Sequence, residues 1–265
     1  MKVQVLVSTM HQSDSSLIER MQIATDAVIV NQCDRDSEED FLFHGHHITW
    51  INSTTRGLSK SRNICLDHAS GDICLFADDD LNYIQGYETV VVDAFQKNPE
   101  CSILRFKVKG IEKPFKQYPD QSKKIGFLDS LKMSSVEIAV LRESISGIRF
   151  DEQIGAGTDF FMGEENAFLA ECLRKGLTIK YIPQTILELH VGNSSWYNGM
   201  NDRYFISRGA AFAAMKTKVT DLLILQFAIR KYKRYRKDVS FVEAFQLMKT
   251  GKKKYLRKQN REETK

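Results

Sequence analysis

The stretch "GLSKSRNICLDHASGDICLFADDDL", residues 57–81, decides the fold class of this chain. Its first part, residues 57–70, spaces apolar side chains at helical intervals and predicts a helix. Residues 71–77 contain the apolar run "ICLFA" and predict a buried strand. Three neighbouring carboxylates follow this run directly: Asp78, Asp79 and Asp80. Because neighbouring carboxylates repel each other, their position at the end of a buried strand requires a chemical reason.

The alternation of helices and strands continues towards the N-terminus. Predicted strands cover residues 3–9, 27–32 and 46–52, a predicted helix covers 14–25, and a polar loop covers 33–40. Strands that alternate with helices predict an α/β fold with a mostly parallel sheet flanked by helices. Ligands of such sheets bind at the carboxyl ends of the strands, which is where the three carboxylates lie.

The second half of the chain is less regular. It predicts a helix at 87–98, a strand at 101–109, a polar loop at 113–124, a strand running into a helix at 133–145, a helix at 163–176 ended by Gly176, and strands at 177–183 and 186–190. From about residue 200 onward the pattern is helical and basic.

The composition is that of an ordinary globular protein, with 42% hydrophobic and 27% charged residues among 265. Five cysteines without a CxxC pair favour a reduced, cytosolic compartment, and three of them lie in apolar runs (Cys65, Cys74 and Cys101). The apolar N-terminal segment is too short for a signal peptide, and no apolar run reaches the length of a membrane-spanning helix.

The charge is unevenly distributed along the chain. Residues 216–265 carry 16 Lys/Arg and 5 Asp/Glu, whereas the rest carries 22 and 29. Within this basic segment, Leu222, Leu225, Phe227 and Ile229 precede "RKYKRYRK". The pattern is typical of an interfacial helix with a polybasic flank on an anionic membrane, and equally of a helical lid packed on a catalytic domain. Nucleic acid is a further candidate partner.

The residues themselves leave two interpretations open at each candidate site. The carboxylates at 78–80 suit a hard divalent cation, or form a solvated acidic turn. Ser59, Lys60 and Arg62 suit a phosphate, or form an exposed basic turn. Glu164 and Glu165 suit a general base, or are acids favoured by a helix dipole. His190 suits a metal or phosphate contact, or is structural, and the "HGHH" cluster at 44–47 alternates faces and is read as structural.

In their order, these segments resemble the family 2 glycosyltransferases, which have the Rossmann-like GT-A fold. Residues 54–81 are similar to the family's N-x-G-x-x-x-A-R-N stretch followed by A-x-G-x-x-x-x-F-x-D-x-D, and "GEEN" at 163–166 is similar to its G-E-D element. The resemblance covers roughly residues 1–200. It departs at Ser61, where the family usually has Ala, at "NQCDRDS", where it usually has D-D-x-S, and at Glu165, where it has Asp.

The resemblance implies inverting, metal-dependent transfer of a sugar, of the hexosyltransferase type, from a nucleotide-sugar, most often a UDP-sugar. The implied nucleotide-sugar contacts are Ser8, Thr9, Asp34, Arg62, Asp78 and Asp79. The implied ligands of Mn²⁺ or Mg²⁺ are Asp78, Asp80 and His190. The implied base is Glu165, with Glu164 as the alternative, and the implied acceptor contacts are Trp196 and Tyr197.

The resemblance also implies an organisation and a setting. We expect a catalytic domain at 1–200, with a nucleotide-sugar half at about 1–110 and an acceptor half at about 111–200, and a basic helical extension at 201–265. We expect an acceptor such as a lipid-linked glycan in cell-surface or capsular polysaccharide synthesis, a cytoplasmic protein peripheral to the inner face of the membrane, and compatibility with a homo-oligomer. The alternatives are a nucleic-acid-binding protein, although no recognised motif supports it, and a non-catalytic GT-A-like subunit.

Overall fold

The computed structural model describes residues 1–191 and 199–262. The chain divides into two units, which we describe separately. Unit 1 comprises Met1–Arg56, Lys60–Ile148 and Cys172–Gly192. Unit 2 comprises Gly57–Ser59, Arg149–Glu171 and Asn193–Lys265.

Unit 1 is built on a mixed sheet. Among the described residues its strands are β1 Val3–Met10, β2 Asp26–Gln32, β3 Ser37–Phe43, β4 His46–Ser53, β5 Ile73–Asp78, β6 Leu81–Tyr83, β7 Ile103–Gly110, β8 Lys123–Ile125, β9 Ile138–Leu141 and β10 Ile179–Leu189. Their order is β3-β4-β2-β1-β5-β9-β7-β10-β6, and β8 pairs with β10.

The described chain also contains α-helices. They are α1 Ser16–Arg20, α2 Leu58–His68, α3 Tyr87–Gln96, α4 Phe127–Ser130, α5 Glu164–Arg174, α6 Asp202–Ala214, α7 Thr220–Tyr235 and α8 Phe241–Glu262. The helical pattern predicted after about residue 200 is therefore confirmed, whereas the predicted domain boundary there stays a prediction.

The centre of the sheet is the parallel run β4-β2-β1-β5, with antiparallel pairs on both sides of it. Its strands are apolar on both faces because helices cover both faces. On one face the strand residues pack against Leu17 and Ile18 of α1 and Val91 of α3. On the other, the buried Cys65 of α2 lies against the Val7 carbonyl. The predicted α/β fold with a mostly parallel central sheet is confirmed.

The prediction of a polar loop over residues 33–40 is wrong in part, since β3 begins at Ser37 and pairs antiparallel with β4. This strand lies at the edge of the sheet, and most of its side chains are exposed. Charged residues protect such an edge from further pairing, and they also conceal the strand from an apolar pattern. His44 and Gly45 join β3 to β4, and their positive φ values of 48° and 85° suit a tight hairpin turn.

Three other predicted elements differ from the structure. The helix predicted at 14–25 is only α1, and the chain turns at Gln22, where φ is 54°. Residues 133–145 form a 3₁₀ turn, then β9, then a second 3₁₀ turn. The strands predicted at 177–183 and 186–190 are one strand, β10, whose pairing with β7 shifts after Tyr181. Pro183, which has no N–H to donate, lies at this shift and makes one strand resemble two.

A buried carboxylate organises the part of unit 1 that adjoins β7. Glu137 is fully buried and accepts hydrogen bonds from Arg105, Lys116, Tyr118 and the Ser134 N–H at 2.6–3.1 Å. A buried carboxylate is tolerated only with such compensation. The cluster therefore fixes the 3₁₀ turn Ser135–Glu137 against β7 and against the loop that contains Lys116.

In unit 2, helices α6 and α8 approach so closely that their backbones touch. A β-carbon added at Gly209 would lie 1.9 Å from the Met248 carbonyl oxygen. One added at Gly251 would lie 1.9 Å from the Ile206 carbonyl oxygen. Tyr255 of α8 is buried in the adjoining apolar cluster and donates a hydrogen bond to Asp151. Two glycines that face each other's helix thus set the crossing distance.

We predict that Gly209→Ala and Gly251→Ala each destabilise the protein by about 2 kcal/mol or more, since the overlap outweighs the better helix propensity of Ala. Denaturant unfolding measures the loss. Gly126→Ala is the matched control, because a β-carbon there meets nothing within 4 Å and its φ of −97° suits any residue. Unchanged stability in both helix variants would contradict the close crossing.

Candidate active site

The carboxyl ends of the parallel strands bring polar side chains to one edge of unit 1. Ser8 of β1 is in register with Val30 of β2 and with Asp78 of β5. The residues that follow these positions, Thr9 and Asp79 among them, lie beyond the apolar part of the sheet. The structure thus brings together Ser8, Thr9 and the carboxylates, as the sequence predicted for a ligand edge.

Arg62 of α2 is a buried cation at this edge of the sheet. Only 2% of the residue is exposed, and its Nη2 lies 3.0 Å from Asp78 Oδ1 and 2.7 Å from Ser135 Oγ. The resemblance assigned Arg62 to a diphosphate, and the structure places it on the first carboxylate of the triplet. Arg62 therefore fixes the orientation of Asp78 and offsets part of the negative charge.

Ser61, which replaces the family's usual Ala, has a partner of its own. Its hydroxyl donates a hydrogen bond of 2.9 Å to Ser8 Oγ, and both side chains are buried. The departure from the family pattern thus ties α2 to the end of β1, one residue before Thr9.

Asp79 belongs to a hydrogen-bonded group with Thr9 and Gln12. Thr9 Oγ1 donates to Asp79 Oδ2 at 2.5 Å, and Gln12 Nε2 donates to Thr9 Oγ1 at 2.9 Å and to Asp79 Oδ2 at 3.3 Å. The group explains the side-chain direction of Asp79, which the sequence left open. The sequence analysis did not identify Gln12 as a site residue. Its position just after a strand with a polar end could have indicated it.

Two asparagines extend this group across the sheet. Asn31 Oδ1 accepts from the Gln12 N–H at 2.9 Å, and Asn31 Nδ2 donates to Asn52 Oδ1 at 2.8 Å. The two residues are paired in register at the ends of β2 and β4, and both are buried. They fix the loop after β1 against the neighbouring strands. Sequence reasoning missed both, although each ends an apolar strand.

Asp34, the predicted contact of the nucleotide base, lies at the surface. Its side chain is 90% exposed and pairs with Arg56 Nη2 at 2.8 Å. Arg56 Nη1 donates to the carbonyls of Cys33 and Thr54, both at 2.9 Å. Arg56, which sequence reasoning missed, thus connects the loops that follow β2 and β4 and presents the Asp34 carboxylate at the same end of these strands.

Asp80 is the carboxylate of the triplet whose pKa is raised. The pKa of its carboxyl is raised to about 6, first by burial among protein atoms and then by the charges of Asp78 and Asp79. By its accessible surface Asp80 is nevertheless an exposed residue, so its burial is partial and the neighbouring charges of Asp78 and Asp79 matter for the raised pKa. The Asp80 carbonyl accepts a hydrogen bond of 3.0 Å from the His190 N–H. Among the three carboxylates, Asp80 is therefore the one whose ionised form a neighbouring cation would stabilise most.

His190 lies next to Asp80 through its backbone, while its ring contacts Glu112. His190 Nδ1 is 2.8 Å from Glu112 Oε1, and the Val191 N–H donates to Glu112 Oε2 at 2.7 Å. The hydrogen bond from His190 lowers the pKa of Glu112. Glu112 thus orients the ring of the predicted metal ligand, a role that the sequence did not suggest.

The donors at this edge fit Mg²⁺ or Mn²⁺ bound together with a phosphate. Within residues 1–191 and 199–262, no group of three or more His, Cys, Asp or Glu is arranged to hold a metal ion. Mg²⁺, however, commonly takes one or two carboxylates and completes its shell with water and phosphate oxygens. The oxygen donors Asp78 and Asp80 and the raised pKa of Asp80 suit such a site.

The two candidate bases belong to the first turn of α5. Glu164 is buried in unit 2, and a β-carbon at Gly155 would lie 3.3 Å from its Cδ, so its side chain packs against that loop. Glu165 is half-buried. The predicted acceptor contacts Trp196 and Tyr197 lie outside the described residues, and their roles stay predictions.

Comparison with known proteins identifies a family and a fold. The model of glycosyl transferase family 2 matches residues 10–154. A search of curated proteins finds no match. Among solved structures, S. aureus TarS 1–349 in complex with UDP is similar with a TM-score of 0.62 at 15% identity, covering 90% of this chain and 74% of that chain. Its complex with UDP-GlcNAc gives 0.63 at 15% identity, with coverage of 90% and 74%. At this identity the likeness shows the fold alone.

We predict that Asp80→Asn raises the melting temperature at about pH 8 and raises it less at about pH 4.5, both without divalent cations. A raised pKa means that the folded state favours the protonated carboxyl, so the ionised form costs stability above a pH of about 6. That cost fades between about 6 and the ordinary value of 3.8. Thermal melts of both proteins measure the difference, and an equal gain at both pH values would contradict the raised pKa.

Proposed function

The chain belongs to glycosyl transferase family 2, and from this premise we propose that it transfers a sugar from a nucleotide-diphosphate donor to an acceptor hydroxyl with inversion. The observation that carries the proposal is the group of carboxylates Asp78, Asp79 and Asp80 at the carboxyl edge of the parallel strands, inside the matched segment. Arg62, which is buried beside Asp78, orients the first of these carboxylates.

We propose a uridine nucleotide as the donor's leaving group. The solved structures of TarS with UDP and with UDP-GlcNAc support this choice, because they share the fold of this chain. In this chain the nucleotide would lie along the ends of β1 and β2. There, Thr9 and Asp79 are held by Gln12, and Asp34 is presented by Arg56.

Asp78 and Asp80 are the residues that would hold Mg²⁺ or Mn²⁺, with His190 as the further predicted ligand. When bound, the cation would neutralise charge on the departing diphosphate. Arg62 keeps Asp78 oriented for this task by its bond to Oδ1, which leaves the second carboxylate oxygen to other partners. Glu112 holds the His190 ring in place.

Glu165 is the proposed general base that takes the proton from the acceptor hydroxyl. One base is sufficient for direct displacement with inversion, because the departing diphosphate needs no proton when its charge is neutralised. The burial of Glu164 against the Gly155 loop favours a structural role for that neighbour. The proposed acceptor is a glycan hydroxyl, with a lipid-linked glycan of cell-surface polysaccharide synthesis as its proposed setting.

We predict that Glu165→Gln lowers sugar transfer by at least about 100-fold, because the amide cannot accept the proton. Donor binding should survive the change, since it removes no contact to the nucleotide. The measurement combines a panel of nucleotide-sugars with Mn²⁺, scored by thermal shift for binding and by product formation for turnover.

Two further variants make the test of the base specific. Glu152→Gln changes an exposed acid of the same unit and should leave both readouts unchanged. Glu164→Gln should lower stability and leave turnover per folded molecule within a few-fold. If Glu165→Gln retains turnover while Glu164→Gln loses it, Glu164 is the base; if no donor shifts the melting temperature, the proposed function fails.

A further inference from the structure

Helix α7 has one face in the core of unit 2 and a second apolar face in solvent. Its buried face contains Leu223, Ile224, Phe227 and Ala228. On the opposite side, Leu222 and Ile229 are 62% and 61% exposed, and Leu225 and Tyr232 are 39% and 41% exposed. The four exposed residues follow each other at intervals of three, four and three, so they form one stripe along the helix. We call it the α7 stripe.

Phe227, which the sequence analysis placed on the apolar surface together with Leu222, Leu225 and Ile229, is not part of that exposed surface. Phe227 is only 5% exposed and packs edge-on against Phe212 at 5.8 Å between ring centroids. The Arg208 guanidinium lies over the Phe227 ring, 5.3 Å from its centroid. Phe227 therefore holds α7 on unit 2, and Tyr232 takes its place in the exposed surface. One face of α7 is therefore packed within unit 2, whereas the interfacial role that the sequence predicted stays a prediction for the exposed face.

Exposed cations border the α7 stripe on one side and at its C-terminal end. Arg230 and Lys233 directly follow stripe residues, and Arg236 lies one turn beyond Tyr232. Lys237 adds a further exposed charge. The acid of this helix, Asp221, is bound by Lys249 and Lys252 of α8 at 2.9 and 2.8 Å. Beyond the end of α7 the exposed acid Asp238 follows Lys237, so the border is positive on balance, with four cations against one acid.

A contiguous row of exposed apolar side chains is a feature of surfaces that bind a partner. An apolar surface of another protein is a poor candidate for this partner, because the cations that border the stripe would lose their hydration on binding. The interface of a bilayer with anionic headgroups suits both features, since apolar side chains enter the acyl boundary while cations remain among the phosphates. Tyr232, with an apolar ring and a polar hydroxyl, is typical of this boundary. In residues 1–191 and 199–262, no helix is long and apolar enough to cross a membrane.

We propose that the α7 stripe and its cationic border dock the protein on the surface of an anionic lipid bilayer. The helix would lie parallel to the membrane plane, with Leu222, Leu225, Ile229 and Tyr232 facing the lipid. The proposal goes beyond the proposed transfer reaction and requires no turnover. A second copy of this chain fits less well, because a symmetric pairing along the stripe brings the two positive borders towards each other.

The test is co-sedimentation of the full chain with vesicles of phosphatidylcholine containing about 30% phosphatidylglycerol, and with pure phosphatidylcholine. The wild-type protein should sediment with the anionic vesicles and lose binding as salt is raised. The double variant Leu222→Ser/Ile229→Ser should bind at least about tenfold more weakly. Both side chains are exposed, so the variant should melt at the wild-type temperature.

Leu42→Ser is the matched control, because Leu42 is 72% exposed on the edge strand β3 of unit 1. It should bind vesicles like the wild type. Equal binding of the double variant and the wild type, or no binding of the wild type, would overturn the proposal. A wild-type dimer in light scattering that becomes monomeric in the double variant would overturn it in favour of self-association. Donor-induced thermal shifts, which the double variant should retain, separate this result from a failure of the proposed function.

Discussion

The contact between Arg62 and Asp78 is the interaction on which the candidate site depends. A guanidinium with 2% exposure joins the end of β5, through Asp78, to the 3₁₀ turn at Ser135. Two residues along this turn, the buried carboxylate of Glu137 is satisfied by Arg105 and Lys116. Removing Asp78 would leave the buried guanidinium of Arg62 without its counter-charge, which is strongly unfavourable. The charges at this edge are therefore held in a fixed pattern before any ligand arrives.

The three neighbouring carboxylates consequently have three different environments. Asp78 is paired with Arg62, and Asp79 accepts hydrogen bonds from Thr9 and Gln12. Asp80 has a pKa raised to about 6, because burial and the charges of Asp78 and Asp79 disfavour its ionised form. Because Asp78 and Asp79 already have partners, Asp80 is the carboxylate that a divalent cation would stabilise most. The repulsion that makes the sequence unusual thus becomes the basis of the proposed binding of a cation and a diphosphate.

The sequence predicted the buried parts of this molecule and missed those that depend on strand pairing. Strands β1, β2, β4 and β5 each contain an apolar run because both faces of the sheet are covered, and their predicted limits are nearly right. The charged edge strand β3 has no such run, and Pro183 made β10 resemble two strands. The partnership of Asn31 and Asn52 depends on the register of β2 with β4, which no local pattern records. For the same reason Phe227 and Tyr232 could not be assigned to opposite faces of α7 before the packing partners were known.

The edge formed by Asp78–Asp80 is proposed to bind a nucleotide diphosphate and a divalent cation together. Calorimetric titration of UDP into the protein, with and without Mn²⁺, measures whether the two ligands bind cooperatively. We expect Mn²⁺ to tighten UDP binding by at least about tenfold and UDP to tighten Mn²⁺ binding by the same factor, as linkage requires. Asp80→Asn should remove this coupling and leave the cation-free affinity for UDP within a few-fold. Equal UDP affinity with and without Mn²⁺, or coupling that survives in Asp80→Asn, would show that the diphosphate and the cation do not meet at Asp80.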